Sequence, residues 1–286
     1  MTILGVTCRP EVPPERLKEV VRAAEDGGLD ELWLWEDCFW GGAASAAAAA
    51  LAWTSRLRVG IGVLPVPLRN VALTAMETAM LHRLFPGRVT VGVGHGVQSW
   101  MEQAGARAES PLTLLREYLD ALRALLRGER VTVYGRYVHL DDVALGWPPA
   151  TAPAVLAAAT GPRTLRLSGE LADGTVLDSS TTPGQLRSAR EAIDAGRAAA
   201  GRADPHPVVL YVQAATGPGT APATAGAADP PESAAVAGDG GAIAAAVRFW
   251  AGAGADAVIL HPPAGVPDPA AFVRFTAEKV RPLLDT

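Results

Sequence analysis

Short apolar runs alternating with longer, helically periodic segments organise this chain, and the clearest unit runs from Leu57 to Gly96. Leu57–Val63 and Val89–Val93 are brief, rich in β-branched residues and bounded by turn residues, the pattern of strands buried on both faces. Between them Asn70 stands where a helix cap belongs. Val71, Leu73, Met76, Met80, Leu81 and Leu84 then recur at helical spacing until Phe85-Pro86-Gly87 stops the run. The spacing predicts a βαβ unit. Its glycine-ended strand tips, GIGVLP and VGVGHG, emerge on one rim of a parallel sheet, where α/β enzymes carry their chemistry.

The same alternation repeats along the chain. Ile3–Thr7 precedes a helix over Pro14–Gly27, and Leu32–Trp35 precedes the alanine-rich helix Ala43–Trp53. After Val93 a loop over Val97–Pro111 leads to a helix over Leu112–Leu126 and a hairpin over Val131–Leu140 turning at Gly135. Val155–Ala158 with Pro162–Leu171 and Thr175–Leu177 with Pro183–Ala199 follow. Val208–Gln213 with a helix over Gly241–Gly252 and Ala257–Leu260 with Pro269–Leu284 complete eight strand–helix pairs. That count predicts an α/β chain forming a single (β/α)8 TIM barrel across residues 1–286, with a loop, helix and small hairpin inserted after strand four, rather than an open doubly wound sheet. The Ala-, Gly- and Pro-rich stretch 217–240 reads as a flexible surface loop, with closure over the rim as the alternative.

Composition narrows the function classes. Of 286 residues, 49% are hydrophobic and 19% charged, which suits a large core and not general disorder. A net charge of −5 argues against nucleic acid and anionic lipid as partners. No apolar run approaches the roughly 20 residues of a membrane span and no basic, apolar leader opens the chain, so a cytoplasmic setting is expected. Cys8 and Cys38 form neither a disulfide framework nor a zinc pattern, and no HxH or HExxH occurs, so no metal is expected.

Candidate chemistry clusters at the predicted strand ends. Glu36 and Asp37 close the second strand, where alternation sends them to opposite faces. Leu32 and Leu34 share parity with Glu36 and read as barrel-interior residues, whereas Trp33 and Trp35 share parity with Asp37 and read as packing beneath the helices. Each carboxylate stands as a ligand for cofactor or substrate or as a cap on the following loop. Phe39, Trp40, Trp100 and Trp147 lie in rim loops and, with His261 after the last strand, are candidates for a substrate pocket or for plain packing. His82, within the third helix, reads as structural. Gly60 and Gly62 suit a strand bulge or tight packing at a barrel corner.

Taken together and in order from Ile3 to Leu260, ELWLWEDCF, GIGVLPVPLRNVALTAME, FPGRVTVGVGHG, LTLLREYLDALRALLRGE and AATGPRTLRLSGELADGTVLD resemble the bacterial luciferase-like superfamily, most closely its branch that uses the deazaflavin coenzyme F420. The resemblance implies a (β/α)8 barrel with an insertion after strand four, deazaflavin in the barrel mouth, hydride chemistry on a small organic substrate, and a homodimer. It places Glu36, Asp37 and Cys38 near the ring and the Gly62-Val63 bulge, often with a cis peptide, behind it. Gly94, His95 and Gly96, with Thr160, Gly161, Pro162 and Arg163, match the family's contacts to the cofactor's phosphate and side chain. The second group has a physical rationale. Gly161 permits close approach, Pro162 fits a first helical position, and the free N–H groups that follow attract an anion. Arg163 either adds a charge-assisted bond or is simply solvated.

Cys38 departs from this pattern, because related alcohol-oxidising members carry a histidine base there and some carry a glutamate at the position of Val97. A thiol with a reference pKa of about 8.5 is a poor base at neutral pH. Reduction of an activated C=C or C=N bond is therefore the expected reaction. His95 is the candidate for proton transfer, or else a group that only hydrogen-bonds the cofactor. The alternatives are an FMN-dependent monooxygenase, a non-catalytic cofactor-binding protein, and a metal-dependent barrel hydrolase using His95, His261 and the Glu36-Asp37 pair.

Overall fold

The computed structural model describes residues 3–216 and 233–284. Along the chain run β1 (Ile3–Cys8), α1 (Leu17–Asp26), β2 (Glu31–Leu34), α2 (Ala43–Ala52), β3 (Arg58–Pro65), α3 (Val71–Leu84) and β4 (Val89–Gly94). An excursion follows of α4 (Gln98–Gln103), α5 (Pro111–Leu126), β5 (Val131–Tyr134) and β6 (His139–Val143). The series resumes with β7 (Val155–Ala158), α6 (Pro162–Leu171), β8 (Gly174–Leu177), α7 (Pro183–Ala199), β9 (Val208–Thr216), β10 (Ala235–Gly238), α8 (Gly240–Ala253), β11 (Ala257–His261) and α9 (Pro269–Phe275).

Strands β1, β2, β3, β4, β7, β8, β9 and β11 pair in that order, all parallel, and β11 returns to β1, closing the barrel. The antiparallel hairpin β5–β6 stands apart as the insertion. Side-chain caps set many helix starts. Asn70 accepts from the Ala72 amide at 2.9 Å, and Thr182 and Gln185 form a reciprocal capping box at 3.1 and 2.8 Å. Among the described residues no helix is long and apolar enough to cross a membrane.

Four sequence expectations change. The expected loop over 97–111 contains the short helix α4. Within the expected 217–240 loop, residues 217–232 lie outside the described residues, while Ala235–Gly238 forms a strand beside the end of β9. The final helix passes through a π turn at Thr276–Val280 and a 3-10 turn at Arg281–Leu283. Finally, α3 buries Val71 and Leu81 of the expected stripe but turns Leu73, Met76, Met80 and Leu84 outward, each 47–61% exposed, and buries Thr74, Ala75, Thr78 and Ala79 in their place. Small side chains let this helix lie close on the barrel wall, and the bulky apolar stripe is left facing solvent.

The barrel interior also reverses the parity expected for β2. Trp33 packs inside with Leu156, Val176, Val209, Tyr211 and Ile259, joined by Trp35 and Val63, whereas Leu32 and Leu34 belong to the layer under the helices. Glycine explains how an indole fits on the axis. A Cβ at Gly60 would overlap the Trp33 ring, one at Gly62 would meet both Trp33 and Tyr211, and one at Gly92 would lie 2.7 Å from Val63 Cγ1. Trp33 Nε1 donates to Glu31 at 2.7 Å at the barrel floor. Glu25, buried at the end of α1, fastens the entry to β3 by accepting from the Ser55 amide and hydroxyl, each at 2.9 Å, and from the Leu57 amide at 2.8 Å.

Candidate active site

At the C-terminal mouth of the barrel lies a cavity of about 390 Å3, within the range of roughly 300–1,000 Å3 common for ligand sites. The tips of β2, β3, β4, β7 and β8 form its wall. Opposite Val91 and Val93 of β4 the pairing of β3 slips between Ile61 and Leu64, producing the bulge that turns Val63 toward the axis, and the Gly62–Val63 peptide is cis. Tyr211 donates its hydroxyl to the Gly62 carbonyl at 3.1 Å and so supports the bulge from across the barrel. A second cis peptide joins Cys38 to Phe39.

Glu36, Asp37, Cys38, Gly62, Val63, His95, Gly96, Thr160 and Trp100 all line this cavity. Gly94 lies just beneath, where a Cβ would sit 2.8 Å from Val63 Cγ2. His95 and α6 are tied together: His95 Nε2 lies 3.2 Å from the Thr164 hydroxyl in the first turn of α6. Gly161 and Pro162 begin that helix with no side-chain cap, which leaves its first amides available to an anion. Arg163 is exposed beside them and outside the cavity wall.

The two carboxylates part company. Glu36 accepts from the Ala43 amide at 2.8 Å, at the start of α2, and from Arg69 at 2.9 Å, and Arg69 also pairs with Glu77. It therefore caps the following helix. Asp37 is half-buried and faces the cavity, and its carboxylate makes no hydrogen bond among the described residues. Burial raises its pKa, the Glu11 charge raises it further, and Arg9 opposes both. The Cys38 thiol is also pushed up, by burial and then by Asp37 and Glu36, so it stays protonated at neutral pH. Burial lowers the pKa of His95, with the Pro111 backbone opposing, so the imidazole is held neutral.

Several expected pocket residues lie elsewhere. Phe39 and Trp40 line a separate cavity. Trp147 is on the outer surface, stacked against the Arg83 guanidinium at 5.2 Å. His261 is buried behind Trp35, ring centroids 5.2 Å apart, and burial lowers its pKa to about 4. His82 is likewise held neutral by burial, at about 4. Tyr211, Asp178 and Met101 line the mouth without having been singled out from the sequence, and Trp35, expected beneath the helices, lines it as well. The parity of Trp35 with Asp37 was the available signal for that tryptophan; Tyr211 lies within β9 and Asp178 just past the end of β8, strands distant in sequence from β2 that only closure brings together.

The sequence pattern of luciferase-like monooxygenases matches residues 4–263. The chain belongs to this family. It is 30% identical over 204 residues to the 5,10-methylenetetrahydromethanopterin reductase of Methanolobus tindarius, covering 71% of this chain and 62% of that one. This luciferase-like chain thus matches less than two thirds of the length of that curated relative. An F420-dependent secondary alcohol dehydrogenase in complex with an F420-acetone adduct superposes with a TM-score of 0.86 at 20% identity, covering 99% of each chain. The coenzyme F420 dependent tetrahydromethanopterin reductase from Methanopyrus kandleri superposes at 0.84 and 20%, covering 98% and 99%. At such identities the superpositions establish a shared barrel fold.

Proposed function

We propose that this chain is an oxidoreductase that transfers a hydride from reduced deazaflavin F420 to an activated C=C or C=N bond of a small organic substrate. The observation that carries this reading is the pairing, at one mouth, of a half-buried carboxyl with a raised pKa and a thiol that cannot act as a base. Alcohol oxidation needs a base at the hydroxyl, whereas reduction needs a proton supplied beside the incoming hydride. F420-dependence among the structural relatives supports the choice of cofactor.

The residues present suit a flat ring with an anionic tail. Gly62, Gly94 and Gly96 let the wall behind the cavity close up, since a Cβ would meet Trp33 and Tyr211 at Gly62, Val63 and Ala158 at Gly94, and Met101 and Pro65 at Gly96, whereas Gly161 stands in open space. Val63, on the bulge of β3 at the cavity wall, would stand behind a bound ring. The uncapped start of α6 at Gly161, with Thr160, Pro162 and Arg163, suits the phosphate, and Thr164 holds His95 beside it. When bound, the deazaflavin supplies the hydride. Asp37, open to the cavity and with its carboxyl pKa shifted upward by burial, is the group placed to pass a proton to the neighbouring substrate atom. His95, neutral and tied to Thr164, orients the cofactor and leaves proton delivery to Asp37.

Two copies of the chain associate through the apolar stripe on α3 in this proposal. Leu73, Met76, Met80 and Leu84 fall on one helical face, and a contiguous exposed face of that kind marks an association surface.

Titrating the protein with F420 and with FMN while following quenching of Trp35 and Trp100 tests the cofactor. Saturable quenching by F420 at concentrations at which FMN is silent is expected; tight FMN binding without a response to F420 overturns the proposal. Anaerobic reoxidation of reduced F420 by enones and imines then tests the reaction.

A further inference from the structure

A second cavity, of about 660 Å3, opens beside the mouth between α1, α2 and the loops that follow β1 and β2. It is larger than the mouth cavity itself. We propose that it takes a long, uncharged apolar chain of the substrate, whose reacting end lies at the barrel mouth. The reaction at that end rests on the hydride-transfer reading; the chain-binding site does not.

The room comes from α2, whose sequence AASAAAAALA presents Ala43, Ser45, Ala46 and Ala49 to the cavity. Any ordinary core residue at those positions would fill the space. Leu17 of α1 and Leu34 of β2 provide the opposite apolar wall, with Trp53 at the end of α2. Phe39 and Trp40 stand at the opening, 64% and 61% exposed. Two large aromatics left half in water beside an apolar cavity gain burial when a hydrocarbon chain enters.

Charge decides the class of ligand. Among the described residues, the charged side chains on this wall are Arg9 and Glu11, and they neutralise one another at 2.7 Å. Arg9 is further engaged over the Trp35 ring, 5.2 Å from its centroid. A phosphate or carboxylate placed here meets no free cation, so a sugar phosphate or polyacid is disfavoured and an alkyl, acyl or polyprenyl chain is favoured. Adjacency places the chain relative to the reaction. Trp35 lines both cavities, and across one peptide bond Cys38 lines the mouth while Phe39 lines the second cavity.

The test uses 2-dodecanone brominated near its far end, because bromine quenches indole fluorescence on contact and Trp35, Trp40 and Trp53 line the cavity. Saturable quenching is expected in the wild type, with at least tenfold weaker binding in Ala49→Phe and no saturation by a brominated butanone. F420 titration at the mouth is run on the same variant and is expected to be unchanged. Trp40→Ala, altering an exposed rim residue, covers the case in which Ala49→Phe fails to fold, and it is also expected to weaken binding at least tenfold. Equal quenching in the wild type and either folded variant, or none in the wild type, overturns the chain site. Failure of F420 to bind, with variant-sensitive quenching retained, overturns the cofactor reading and leaves the chain site standing.

Discussion

Glu25 offers a measurable test of how the barrel is held in register at the strand that carries the active-site bulge. Its side chain is 7% exposed and accepts from the Ser55 amide, the Leu57 amide, the Ser55 hydroxyl and the Arg56 amide at the entry to β3. Burial alone would raise its pKa, but those hydrogen bonds outweigh burial and bring it from an ordinary 4.5 to about 2. Because the folded-state pKa lies below the unfolded one, the native state binds fewer protons. The stabilisation is fully present above pH 4.5 and is lost as pH falls through about 2. At about 1.4 kcal/mol per pKa unit, the carboxylate contributes about 3 kcal/mol at pH 7 and about 1 kcal/mol at pH 3. Glu25→Gln keeps the shape but supplies fewer acceptor sites and leaves buried amides unpaired. Urea unfolding is therefore expected to show a loss near 3 kcal/mol at pH 7, as a lower midpoint at unchanged slope, shrinking as pH falls to 3. Hydrogen exchange gives a local readout, since the Leu57 amide, bonded to Glu25 at 2.8 Å, should lose protection. A loss below about 1 kcal/mol at pH 7, or one independent of pH, refutes the argument.

Three further outcomes follow from the geometry. Asp37→Asn is expected to lower kcat/KM for anaerobic reoxidation of reduced F420 by roughly 100- to 10,000-fold, and the wild-type rate should fall as pH rises through the elevated Asp37 pKa; a flat profile removes it as proton donor. The double change Met76→Glu, Met80→Glu places charges on the exposed stripe of α3 and is expected to convert a dimer to a monomer in light scattering, so a wild type already monomeric at micromolar concentration defeats that assembly. Gly60→Ala forces a methyl into the Trp33 ring and should destabilise the barrel by about 1–3 kcal/mol, whereas a neutral effect would mean that the indole is free to move.

Much of the architecture is legible in residue order alone. Eight apolar runs, each followed by a helically periodic segment, imply the barrel, and the hairpin turning at Gly135 marks the insertion after the fourth strand. Local chemistry also reads directly: Asn70 caps α3, and Pro162 after Gly161 opens α6. The glycines of GIGVLP and VGVGHG correctly mark the rim at which the cavity lies. These features depend on backbone preferences within a few residues of one another, which a linear sequence carries.

Which face of each element is turned inward is a different kind of fact. A barrel strand is buried on both sides, so alternation in ELWLWED separates two faces without saying which is the axis; the glycines of β3 decide it, because only beside Gly60 and Gly62 is there room for Trp33. The helix α3 repeats large apolar residues at helical spacing, yet the barrel takes its alanine and threonine face and leaves Met76 and Met80 in solvent. Glu36 is consumed by the start of α2 and by Arg69, and Asp37 is left open to the cavity, a division that adjacent carboxylates do not announce. Residue order specifies strands, helices, caps and the glycine-marked rim through local conformational preference. Closure of the sheet, which packs side chains from positions more than a hundred residues apart into one volume, decides which of them face the chemistry.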